Sequence, residues 1–283
     1  LAIQRFFINR MNYTQRKVLG VSGGIFNYLQ FYAGVNQEYI ENNGGYLFQR
    51  AEDQTPFTNI QSAEIKLRFR FAYKEKYFNN GRLVYSMGTI YPIIWFNYTQ
   101  GFEGISGSDF SFKKIDIQLR KSFYTKYIGE TNIDLKAGFI TGDLPYSKLY
   151  SGGGTYRPLA ITAPASFGTM RPNEFLSDSY MFLFLRHNFG TLLFKGERFK
   201  PVFELITNIG FGWLSNSENH QNIDFKIMDK GYYESGLMIH ELLRLQFVNV
   251  GFGAMYRYGP YSLGSYKENI AYKITILFPL QTK

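Results

Sequence analysis

Ile60-Gln61-Ser62-Ala63-Glu64-Ile65-Lys66-Leu67-Arg68-Phe69-Arg70-Phe71-Ala72-Tyr73 sorts its side chains by parity. Ala63, Ile65, Leu67, Phe69, Phe71 and Tyr73 fall on odd positions. Ser62, Glu64, Lys66, Arg68 and Arg70 fall on even ones. Successive side chains of a strand point to opposite faces, so this segment has one apolar face and one charged face. The pattern returns at Ile133, Leu135, Ala137 and Phe139 against Asn132, Asp134, Lys136 and Gly138. It returns again at Ile270, Tyr272, Ile274, Ile276 and Phe278, alternating with Asn269, Ala271, Lys273 and Thr275. Repeated over most of the chain, with aromatics on the apolar parity, it reads as a transmembrane β-barrel.

Composition agrees with that reading. Aromatic residues make up 19% of the 283 residues, with 28 Phe and 23 Tyr. These are residues of strands and of the girdles at a membrane interface. The chain has no Cys, which rules out disulfides, thiolate metal sites and cysteine nucleophiles. Mean hydropathy is −0.22. No apolar run approaches the roughly 20 residues of a spanning helix. A barrel passes unseen through that test, because half of each strand is polar.

The net charge of +9 admits nucleic acid, anionic headgroups or a basic lumen as its counterpart. The Lys and Arg residues sit on alternating strand parity and not in clusters, which points to a lumen and away from nucleic acid. Lumenal candidates are Glu64, Lys66, Arg68, Arg70, Lys114, Asp116, Arg120, Lys136, Glu204 and Glu234.

Helical periodicity is absent. Strands are expected at 2–10, 16–26, 29–37, 60–73, 82–91, 94–100, 110–124 and 131–142, then at 178–189, 201–214, 232–247, 250–258 and 267–278. Asn42-Asn43-Gly44-Gly45 and Asn79-Asn80-Gly81 are hairpin signals. The expected fold class is all-β: one antiparallel transmembrane barrel over residues 1–283, with about 12–16 strands. A soluble β-sandwich would alternate in the same way. Its shorter strands and fewer aromatics near strand ends make it the weaker reading. No repeat of 20–50 residues suggests a propeller. The chain opens Leu1-Ala2-Ile3-Gln4, without Met or signal peptide, and reads as processed or truncated at its N-terminus. Phe278, the last aromatic, sits where an outer-membrane sorting signal would.

Residues 143–176 interrupt the rhythm. A connection this long in a compact β protein is usually functional or disordered. Gly152-Gly153-Gly154 opens its middle part but lacks the downstream Lys-Ser/Thr of a phosphate loop. The segment from 152 to 174 is expected to fold into or over the lumen. Phe167, Gly168, Met170 and Arg171 would lie near its tip, with Asn173, Glu174 and Asp178 on the way back to the wall. A buried Arg needs a carboxylate, so Arg171 is expected to pair with Glu204 or Glu234.

Catalytic chemistry is not legible. His187 and His240 read as structural strand residues, and His220 lies in a polar loop. Met238-Ile239-His240-Glu241-Leu242 lacks the second His of a zincin helix. Asp178 and His187 are nine residues apart on one strand, about 30 Å, and on opposite faces, so they form no dyad. No catalytic, cofactor or metal site is expected.

Several spaced motifs carry a resemblance. They are Gly142-Asp143-Leu144-Pro145-Tyr146-Ser147-Lys148-Leu149, Asn173-Glu174-Phe175-Leu176-Ser177-Asp178 and Arg186-His187-Asn188-Phe189. Tyr91-Pro92, Tyr98-Thr99-Gln100-Gly101 and Tyr233-Glu234-Ser235-Gly236 accompany them in order. Over residues 60–278 the chain resembles a Bacteroidetes outer-membrane barrel family of unknown function, whose members usually follow a carboxypeptidase-regulatory-like domain. That family is distantly similar to the BamA/TamA superfamily of outer-membrane insertases and transporters. There a long loop folds back into the lumen and carries a Val-Arg-Gly-Phe/Tyr motif. Phe167-Gly168-Thr169-Met170-Arg171 falls at that place here, with different residues.

The resemblance implies a non-enzymatic barrel of the bacterial outer membrane, acting in protein assembly, export or transport. Its partners would be the bilayer with its lipopolysaccharide and other outer-membrane or periplasmic proteins. The charged lumen alone suggests a diffusion or substrate channel. A barrel enzyme acting on lipid or peptide is a weaker third reading.

Overall fold

The computed structural model describes residues 12–277, apart from 43, 54, 80, 82, 83, 191, 195, 197, 198, 246 and 247. The expected strand at 2–10 and the terminal Phe278 lie outside the described residues. Sixteen strands follow one another: β1 Tyr13–Ile25, β2 Leu29–Glu41, β3 Leu47–Phe48, β4 Asn59–Ala72, β5 Lys76–Asn79, β6 Val84–Gly88, β7 Ile93–Gly101 and β8 Phe112–Thr125, then β9 Gly129–Thr141, β10 Leu159–Ile161, β11 Ser179–Asn188, β12 Val202–Trp213, β13 His220–Gln221, β14 Tyr232–Arg244, β15 Asn249–Tyr258 and β16 Ile270–Leu277.

Twelve of them form one sheet in the order β1-β2-β4-β7-β8-β9-β11-β12-β14-β15-β16-β10. Every pairing in it is antiparallel except that of β10 with β16. A single large sheet replaces the two facing sheets a sandwich would need. The expected closed ring is not reached: no ladder joins β1 to the far edge among the described residues. A strand has only two hydrogen-bonding edges, and β10 occupies the second edge of β16, with Leu159 opposite Tyr272 and Ile161 opposite Ile274.

The expected wall strand over 82–91 is also corrected. Its described part contributes β6, which pairs with β5 in a separate two-stranded hairpin, and β4 pairs with β7 instead. The hairpin signal at 42–45 does not close a tight turn. The connection from β2 to β4 runs over 42–58 and contains β3.

Parity sets the two faces. Ile65, Phe69 and Phe71 of β4, Ile117 of β8 and Phe139 of β9 are exposed on the outer face. Their even neighbours face inward, and the 142–178 connection lies against that inner face.

The connections 42–58, 102–111, 142–178, 214–231 and 259–269 all leave the same end of the sheet. Four of them meet in an apolar dome of Tyr46, Phe48, Phe57, Phe110, Leu144 and Tyr146. β3 and β13 pair across it, placing His220 opposite Phe48. The Tyr46 hydroxyl lies 2.7 Å from His220 Nδ1 and accepts from the Tyr146 N–H at 3.1 Å.

Burial pushes the His220 imidazole down to about 4, with Asp143 and Glu218 pulling weakly the other way. The unfolded ring takes its proton near 6.5, the folded one only near 4. Between those values the opened dome binds more protons, so its stability is complete above pH 6.5 and falls as the pH drops toward 4. The protection factors of amides in 42–58 and 214–228, taken against the intrinsic exchange rate at each pH, should therefore fall in acid. His220→Phe should flatten that dependence; an unchanged acid response in the variant would assign it elsewhere.

Candidate functional site

The site is the docking of the 142–178 connection on the inner face of β11, β12, β14 and β15. Phe167 is fully buried, its ring 5.2 Å from Phe182, 5.0 Å from Phe184 and 5.1 Å from Tyr232. Gly210 of β12 makes this possible, since a Cβ there would stand 2.7 Å from the Phe167 ring. Gly168 passes equally close to the wall: a Cβ would meet Met255 at 2.9 Å and Lys273 at 3.0 Å. Met170 is also fully buried.

Glu234 of β14 holds this tip. It has no exposed surface. Its carboxylate accepts the Gly168 N–H at 2.7 Å, the Thr169 N–H at 2.8 Å and the Thr169 hydroxyl at 2.5 Å. The Asn208 side-chain amide of β12 donates to it at 2.6 Å. Tyr232 hydrogen-bonds to Thr169 Oγ1 at 2.7 Å.

A second clamp lies beside the first. Arg257 of β15 is 1% exposed, forms an ion pair with Glu174 at 2.9 Å and donates through Nη1 to Glu174 Oε2 at 3.1 Å. Its guanidinium stands over the Tyr232 ring at 4.7 Å and the Phe175 ring at 5.8 Å. Lys226 adds a longer contact to Glu174 at 3.6 Å. Asn173 makes the preceding turn with φ 56°. Asp178 closes the segment by accepting the Ser215 N–H at 2.7 Å.

Arg171 is corrected. It is exposed, stacks over Tyr156 at 5.6 Å, and pairs with neither Glu204 nor Glu234. Glu204 contacts His240 at 3.1 Å and Arg186 at 3.7 Å. The polarity of the expected ion pair is reversed: the wall supplies the Arg, Arg257, and the connection supplies the acid, Glu174.

The remaining lumenal candidates lie on β4, β8 and β9, and two of them, Asp116 and Lys136, reach the edge of this dock. Lys148, at the start of the connection, bridges Glu38 and Glu64, the latter at 2.5 Å. Lys66 pairs with Glu64 at 2.9 Å. Arg70 pairs with Glu75 at 2.5 Å and Arg120 with Asp134 at 2.7 Å, both standing over the Trp95 ring. Lys136 donates to the Ala165 carbonyl at 2.9 Å, and Asp116 accepts from the Tyr180 hydroxyl at 3.3 Å. Arg68 and Lys114 have no carboxylate in contact among the described residues; they stand over Tyr32 and Tyr150.

Sequence reasoning missed Lys148, Glu38, Asn208, Arg257 and Lys273. Arg257 carried a usable signal: it sits on the inner parity of a strand otherwise lined with Gly and Met.

Residues 7–146 match the model of the C-terminal domain of a family of unknown function, DUF5686. That match starts before the motif-bearing stretch 60–278 and stops at the first motif of the long connection. No curated protein matches the chain. Among solved structures, the chain is similar to BamA from Haemophilus ducreyi lacking POTRA domains 1–3, with a TM-score of 0.57 at 13% identity. The likeness covers 94% of this chain and 53% of that one, so the chain spans about half the length of the BamA structure. The fold is thus a large antiparallel sheet of the kind found in the BamA barrel.

Proposed function

We propose that this chain is a non-enzymatic integral barrel of the bacterial outer membrane, serving in a complex that assembles, exports or transports proteins. The observation that carries the reading is the 142–178 connection docked on the inner face through Glu234, Phe167 and Arg257. A diffusion pore has little use for such a plug, whereas a barrel that works through its wall or its partners tolerates one. The likeness to the BamA barrel and the exposed aliphatic outer face support a place in the bilayer. Lipopolysaccharide and other envelope proteins are the partners this reading implies.

The alternative is a substrate channel. The charged cavity beside β4 and β8 favours it.

Depletion in the producing bacterium, with folded outer-membrane proteins quantified, tests the first reading, and planar-bilayer recording of the purified chain tests the second. Falling levels of several folded barrels together with a silent bilayer support the assembly role. Unchanged barrels with a large steady pore would replace it with the channel.

A further inference from the structure

A cavity of 570 Å³ lies between β4, β7, β8 and the start of the long connection. Five cationic side chains and three carboxylates line it. Arg16, Lys66 and Lys148 spend their charges on Glu38 and Glu64. That leaves Arg68 and Lys114 against Asp116 alone, which forms no ion pair with either of them among the described residues. The cavity thus holds an excess of two positive charges.

The unspent donors line it. Arg68 presents its face to Tyr32 at 5.1 Å, which leaves the N–H groups in the guanidinium plane free to donate. Among the described residues, the Lys114 ammonium has as polar or ring partners the Tyr150 ring, at 4.0 Å, and the Lys148 carbonyl, at 3.3 Å. Ser147 also lines the cavity; its Oγ is shielded from solvent, has no hydrogen-bond partner among the described residues, and reaches an anion there by a change of χ1 rotamer. Strand register puts Lys66, Thr99 and Lys114 in one row and Arg68, Asn97 and Asp116 in the next, so all of these side chains share the inner face.

We propose that this cavity binds a small phosphate-bearing anion, with Arg68, Lys114 and Ser147 as its ligands. A guanidinium edge, an ammonium and a hydroxyl together match the oxygens of a phosphate. A phosphate monoester carries about −1.5 to −2 charges at neutral pH, which balances the cationic excess. The volume lies in the range of small-molecule sites, roughly 300–1,000 Å³, and is too small for a polyanion chain. The phosphate could be free or borne on a sugar. This inference goes beyond the proposed function and does not depend on it.

The chain has two Trp residues, and Trp95 lines the cavity while Trp213 is exposed on the outer face. Trp213→Phe in the full chain, folded in detergent micelles, leaves Trp95 as the sole reporter. Sodium phosphate and glucose 6-phosphate are titrated against sodium chloride at equal ionic strength. A saturable fluorescence change with phosphate, with the sugar phosphate or with both supports the site, and which one binds names the source. Arg68→Gln and Lys114→Gln should each weaken binding about tenfold, the loss of one charged hydrogen bond. Ser147→Ala should weaken it less, and Lys113→Gln, on the outer face, should leave it unchanged. β-Type circular dichroism confirms that each variant is folded. A response that tracks ionic strength alone, or folded Arg68 and Lys114 variants that bind like the parent, would overturn the proposal.

Discussion

Glu234→Ala should release the connection from the wall at a cost of about 2–6 kcal/mol. Removing the carboxylate strands the buried amides of Gly168 and Thr169, at roughly 1–3 kcal/mol each. It also removes one acceptor each from the Thr169 hydroxyl, which keeps Tyr232, and from the Asn208 amide, which keeps the Ser166 carbonyl. Ala leaves a void that water can enter only by displacing Phe167 or Met170, both fully buried. Urea unfolding in micelles measures the loss, and protease cleavage within 152–174 measures the release. Glu234→Gln keeps one acceptor oxygen but turns an amide group toward donors, so it should fall between parent and Ala. Parent-like stability and protease resistance in Glu234→Ala would mean that the aromatic contacts of Phe167 hold the tip unaided.

Much of the wall was legible because parity is a local property. The 60–73 stretch fixes its own faces, and the structure places β4 at Asn59–Ala72. Segments 131–142 and 250–258 fall within two residues of β9 and β15 for the same reason. The 82–91 segment failed because alternation does not say which partner a strand will find. β5 and β6 satisfy each other's backbone groups as readily as a wall neighbour would. In the long connection, length and low charge pointed to a segment that folds into or over the lumen; Phe167 and Met170 within it are buried, whereas Arg171 is exposed.

Its electrostatics were not legible. Which charge meets which depends on the angle at which the connection crosses the inner face, and no short sequence pattern encodes that angle. Glu234 looked like a partner for an Arg. Two consecutive backbone N–H groups and a hydroxyl occupy its oxygens instead. Arg171, with no carboxylate left to meet, stays in solvent. Lys148 was hidden for a similar reason: it becomes a bridge only when β2 and β4 bring Glu38 and Glu64 to one face.

If the chain is the plugged barrel proposed above, excising residues 156–170 and joining Thr155 to Arg171 through two glycines should turn it from silent to steadily conducting. The cut is geometrically mild. Thr155 N–H already donates to the Phe167 carbonyl at 2.9 Å, and a Cβ on Gly154 would lie 2.7 Å from the Arg171 oxygen. The two chain ends are therefore neighbours. The wall keeps all its antiparallel ladders, so β-type circular dichroism should persist. The excision removes Phe167, Met170 and β10 from the inner face and edge, and uncovers Glu234, Asn208 and Lys273. Glu234 keeps the Asn208 amide and Lys273 keeps the Thr155 carbonyl, while the Glu234 oxygens released from Gly168 and Thr169 can hydrate once water enters, so a wet path along β11–β16 costs little compared with a buried, unsatisfied one. The dome over β2–β9 rests on 42–58, 102–111, 142–150 and 214–228, none of which the excision touches. Single-channel recording of parent and excised protein separates the two barriers. A conducting excised barrel makes the docked tip the plug. A folded excised barrel as silent as its parent would assign closure to the dome, and the tip would then be a brace that ties β12, β14 and β15 together.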